Sequence, residues 1–130
     1  MAIKLHHRRD HARIEANAEQ RRREDATTRL CDEIPTLETL RFHFEDQRQS
    51  GDLTAMAYSK PIVVKSAPAS FEIRCMEPRC DGRHDLSREI LNALRKNLTT
   101  YAGKNACDGV VGEIGCNRVL SYTFVATYSS

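Results

Sequence analysis

The chain has 130 residues, of which 29% are charged and 40% hydrophobic, with no tryptophan and a formal net charge of +2. That length fits one domain, and so small a net charge does not by itself point to nucleic acid. No apolar run is long enough to cross a bilayer, and the opening residues lack the apolar stretch of a secretory signal, so a reducing, cytoplasmic compartment is the expectation.

Charge is unevenly spread. Residues 1–30 carry eight basic side chains against five acidic, residues 31–52 two against six, and the remainder ten against seven. In the first segment Ala12, Ile14, Ala16, Ala18 and Ala26 form no broad stripe, and Glu19 sits four residues before Arg23. A helix polar all round has little packing to hold it. The reading is therefore a solvated helix or partly disordered basic arm over residues 1–33, ahead of an α+β domain over 36–130. Arg8, Arg9, Arg13, Arg21, Arg22 and Arg23 are the arm's candidates for neutralising phosphates. His6, His7 and His11 are read as part of the same solvated arm rather than as a metal site. Cys31 stands alone, a buried or incidental thiol.

Beyond the break at Asp32-Glu33-Ile34-Pro35, Leu40, Phe42 and Phe44 alternate with Arg41, His43 and Glu45, the period of a half-buried strand. Gln49-Ser50-Gly51-Asp52 reads as a turn, and Pro61-Ile62-Val63-Val64 as a second strand with proline at its start. A loop over 66–70 precedes a third strand, Phe71 to Cys75, and a further strand ends at Cys107; if the two lie side by side, both cysteine pairs reach one end of the sheet. Asp85 is the expected N-cap of a helix through about Leu98, with Leu86, Ile90, Leu94 and Leu98 recurring every four residues as one apolar stripe. The last run, Leu120 to Tyr128, alternates most clearly of all.

The chemistry concentrates in four cysteines, Cys75-x4-Cys80 and Cys107-x8-Cys116, separated by twenty-six residues. Each pair joins a strand end to the next element of the chain. Four thiolates brought to one sheet end would surround one ion tetrahedrally at about 2.3 Å each. Gly82, Gly109, Gly112 and Gly115 supply tight backbone, and Pro78 stiffens the first loop. Neither pair has the common C-x2-C spacing, so buried apolar cysteines, disulfides, a redox pair and an iron–sulfur cluster stand beside the structural-zinc reading. His84 is a substitute ligand only if one cysteine points elsewhere. Its simpler reading is an exposed residue before a helix. A closed four-cysteine shell leaves no position for a reacting water. There is no H-E-x-x-H, no deaminase H-x-E with P-C-x-x-C, no phosphate-cradling glycine loop and no G-x-S-x-G elbow. No catalytic constellation is found.

Ser66-Ala-Pro-Ala-Ser-Phe71, Cys75-x4-Cys80-Asp-Gly, His84-Asp-Leu-Ser87, Cys107-Asp-Gly, Cys116 and Leu120-Ser-Tyr122 together resemble a group of small uncharacterised bacterial proteins, over about residues 66–128. The resemblance implies a bacterial source and a zinc-ribbon-like core, and no activity. The expected fold is α+β: a small antiparallel sheet of four or five strands, one packed helix, a site for one structural zinc ion and a polar N-terminal helix. The expected function is a non-enzymatic adaptor or regulatory module that binds nucleic acid or a ribonucleoprotein through the basic arm, with Arg79, Arg83 and Arg88 as a second patch. A protein-interaction module without nucleic acid and a thiol-redox or zinc-dependent sensor or enzyme are the alternatives. No small-molecule substrate or membrane partner is expected.

Overall fold

The computed structural model describes residues 2–48, 54–77, 79–80, 82–111, 114–116 and 118–129, with side chains outside 1–13 and 47–56. The chain runs α1 (Ala2–Ala26), α2 (Leu30–Glu33), β1 (Leu37–Arg48), β2 (Thr54–Ile62), β3 (Glu72–Arg74), β4 (Arg83–Asp85), α3 (Ser87–Arg95), β5 (Thr100–Ala106), β6 (Val110–Val111), β7 (Ile114–Gly115) and β8 (Arg118–Tyr128). The α+β expectation holds. Four strands form one antiparallel sheet in the order β2-β1-β8-β5, and two two-stranded hairpins, β3-β4 and β6-β7, stand apart from it. Among the described residues no helix is long and apolar enough to cross a membrane.

The sheet has one apolar face because β1 and β8 alternate in phase. Phe42 pairs with Phe124 and Phe44 with Tyr122 across the strands, and all four are almost fully buried. Phe42 also stacks on Phe44 at 5.2 Å and meets Phe71 at 5.5 Å. α3 lays Ile90, Ala93 and Leu94 on this face, with Leu86 beside them. Leu30 and Ile34 complete the core, so the core begins inside the segment read as a polar arm. The opposite face is exposed at Arg41, His43, Thr123 and Val125, and a groove of about 320 Å³ crosses it between His43, Glu45, Ala102, Lys104, Ser121 and Thr123.

Several expectations need correction. Pro61 lies near the end of β2, not at the start of a strand, and β2 is an edge strand, where a missing N–H costs nothing in the ladder. The preceding Thr-Ala-Met-Ala-Tyr-Ser run holds only two large side chains, Met56 and Tyr58, too few to mark a strand by alternation. β3 does not join β5. It pairs with β4, Ile73 opposite His84, while β5 pairs with β8. The N-cap of α3 is Leu86, and Asp85 instead accepts the Ser87 N–H at 3.1 Å. The helix stops at Arg95, because Asn97 adopts φ 57° and the N–H groups of Asn97 and Leu98 close back on Leu94 and Ala93. That is the left-handed C-terminal cap in which asparagine substitutes for glycine, and it leaves Leu98 exposed. The Gln49-Ser50-Gly51-Asp52 turn lies outside the described residues.

α1 is a continuous helix with no apolar stripe, and polar ties hold its C-terminal half. Gln20 donates to the Glu72 carbonyl at 3.1 Å, Arg23 bonds the Glu72 carboxylate at 3.1 Å, and Arg74 donates to Asn17. Having nothing apolar to seal against the core, the helix leaves a cleft of about 410 Å³ above Phe42, Phe44, Phe71 and Ile73.

Candidate metal centre

β3 and β4 carry Cys75 and Cys80 in the connection between them, and the ends of β5 and β8 carry Cys107 and Cys116 around the β6-β7 hairpin. The four Sγ atoms all lie within 4.8 Å of one another. Cys75 Sγ is 3.6 Å from Cys116 Sγ, and Cys80 Sγ is 3.6 Å from Cys107 Sγ. Thiolates around a tetrahedral ion at about 2.3 Å stand about 3.8 Å apart, so the cluster has the dimensions of a metal shell. It is too open for disulfides, and all four cysteines are free. The sequence-predicted set is thus brought together in full and could hold one metal ion.

The local backbone explains how. Each sulfur receives the N–H of the residue two positions on. Gly82 donates to Cys80 at 3.3 Å and Gly109 to Cys107 at 3.4 Å, while Glu77 donates to Cys75 and Arg118 to Cys116. Such donors fix each sulfur's direction and spread its negative charge. The two halves mirror each other: Cys75 N–H reaches the Gly82 carbonyl at 3.2 Å, and Cys116 N–H reaches the Gly109 carbonyl at 2.9 Å. Gly82 and Gly109 then press together. A Cβ on Gly82 would fall 2.6 Å from Cys107 Sγ, and one on Gly109 would fall 2.6 Å from Cys80 Sγ. Only glycine fits there. A Cβ on Gly115 would meet nothing within 4 Å, so that glycine has no such part, and Gly112 and Pro78 lie outside the described residues.

The protonation balance also fits a cation. Burial pushes the Cys107 thiol up to about 11 and Cys75 higher still. Burial opposes ionisation of Cys116 too, yet the Arg118 N–H and the neighbouring thiols overcome it and hold this group below its ordinary range. Without a positive ion four thiolates would not coexist there. The shell is closed and partly to fully buried, which suits a holding role rather than one that presents a water.

His84 is not a ligand. It is 1% exposed, against the expectation of an exposed residue, and its Nδ1 pairs with Asn105 Oδ1 at 2.9 Å. Cys31 lies apart, its thiol directed at the Lys65 carbonyl. On α1, Arg21 and Arg22 are exposed, Arg23 is engaged by Glu19 and Glu72, and the side chains of Arg8, Arg9 and Arg13 lie outside the described residues. Arg79 and Arg83 pair with Glu77 and Glu72 at 3.6 and 3.8 Å.

Sequence reasoning missed the polar surroundings of the site. Arg118 is 11% exposed and reaches both Asp46 at 3.7 Å and Glu77 at 3.4 Å. Asp46 is fully buried, and burial raises its carboxyl above the ordinary range against the pull of Arg118 and His84. One sequence signal was present for the glycines: Cys-Asp-Gly occurs twice, at 80–82 and 107–109. Comparison with family models, curated proteins and solved structures returned no match.

Proposed function

We propose that this chain is a non-enzymatic, zinc-stabilised binding module of a bacterial cytoplasm, whose basic N-terminal helix engages nucleic acid. The observation that carries the first half is the closed shell of four sulfurs within 4.8 Å. Zinc suits it, having no geometric preference that resists four thiolates and no need of a solvent ligand. Native mass spectrometry of protein made without added metal should find one zinc per chain, lost in Cys80→Ser. A chain that carries no metal as purified and yet keeps both two-stranded hairpins ordered would defeat this reading.

The second half is supported by the exposed Arg21 and Arg22 on a helix with no apolar side of its own. Binding to duplex and single-stranded oligonucleotides should weaken as salt rises. Each phosphate neutralised by Arg21 or Arg22 adds roughly 0.9 to the steepness of the log–log slope on duplex DNA, so Arg21→Ala or Arg22→Ala should flatten it by that amount. Absence of any salt-sensitive binding would leave the protein-interaction alternative, which the exposed sheet face favours.

A further inference from the structure

We infer that this chain pairs with a second copy of itself through the open edge of β5. In an antiparallel ladder, alternate residues direct both backbone groups at the neighbour, and the residues between direct theirs away. The Cys107 N–H bonds the Arg118 carbonyl, and the Ala126 N–H bonds the Thr99 carbonyl. The odd-numbered residues of β5 therefore face β8. Thr100, Ala102, Lys104 and Ala106 turn their N–H and C=O groups outward, and among the described residues nothing pairs them. β4 approaches β5 through His84 and Asn105 and adds no backbone bond to that edge.

The two edges of the sheet differ. β2 carries Pro61, and a register shift interrupts its ladder with β1 between Asp46 and Gln47. Both features blunt an edge against pairing. β5 has no proline and an unbroken register, so it can still accept a strand.

A second copy of the same strand satisfies this edge. A two-fold contact requires the strand to match itself, residue i against j and j against i. With the axis at Gly103, Ala102 opposes the partner's Lys104, and Thr100 opposes the partner's Ala106. All four outward residues are then paired, with about eight new hydrogen bonds. Moving the register by one step toward the C-terminus opposes Lys104 to its own copy, and one step the other way leaves Ala106 unpaired. Gly103 brings no side chain to the axis. The pairing joins two four-stranded sheets into one of eight, with a groove of about 320 Å³ on each side of the axis.

The register makes a test with opposite signs. Ala102 is exposed, so charge placed there leaves the core alone and meets the partner's Lys104. Sedimentation equilibrium of the full chain, as purified, should show a concentration-dependent dimer. Ala102→Glu should tighten it and Ala102→Lys loosen it, each by roughly 2- to 30-fold in Kd for two symmetric cross-strand pairs. The Ala102→Lys, Lys104→Glu double variant should restore dimerisation. Circular dichroism and bound metal identify any variant that has misfolded, and Ala102→Glu alone then suffices. A chain monomeric through the millimolar range would overturn the inference and leave the edge to a foreign strand. A dimer equally tight in both charge variants would overturn it too.

Discussion

Gly82 and Gly109 hold the two turns of the metal centre against each other, and neither has room for a methyl group. Gly82→Ala or Gly109→Ala should therefore displace a sulfur and its N–H donor, lowering metal affinity by about 10- to 100-fold in a competition titration with a chromophoric chelator. Gly103 is crowded for a different reason: a Cβ there would meet the Tyr122 ring and hydroxyl at 2.6–2.8 Å. Because that ring is locked in the core, Gly103→Ala should cost about 1–3 kcal/mol in urea unfolding, with metal affinity unchanged. At this scale the four clustered thiols were legible in the sequence, since two separated cysteine pairs point first to one shared ion. The buried His84 and Asp46 were not. Each is a polar residue in a polar stretch, and only the tertiary packing of β4 and β1 encloses them.

Among the elements, α1 is held differently from the rest. Its attachments to β3 are ion pairs and hydrogen bonds, and Glu72 receives most of them. Glu72→Gln, or high salt, should raise hydrogen exchange over 14–26 toward that of an isolated helix while β1 and β8 keep their protection. Equal protection in both conditions would show that the tie is not ionic. β1, β8 and α3 were legible because a period of two or of nearly four shows wherever large apolar residues face one core. β2 was not, since alanines mark its faces too weakly. β3 was legible from its alternation, but β4 and the pairing of the two were not, because three-residue strands carry no register of their own and this pairing is set by the path of the chain around Cys75 and Cys80.

For the whole molecule a bound metal would substitute for a core that the hairpins lack. Their strands are two or three residues long, too short to persist unaided. Chelation should release both hairpins while the larger sheet, with its own aromatic core, unfolds separately, visible as two thermal transitions where the loaded protein shows one. Proton linkage sets the direction with pH. Burial holds Cys75 and Cys107 protonated at neutrality, so loading must expel at least these two protons. Apparent affinity should therefore rise by at least about 100-fold per pH unit through neutrality and fall as acid is added. A slope near zero would mean that the thiols are already ionised.

The spacing of the two halves has a temporal side. Cys80 and Cys107 stand twenty-seven positions apart, and α3 and β5 lie between them. At about 5–20 residues per second, the ribosome delivers the first pair of thiols roughly one to five seconds before the second. For that interval the nascent chain is a two-coordinate trap, open to any soft cation or stray oxidant. An ion would be fully enclosed only when Cys107 and Cys116 close over Cys75 and Cys80.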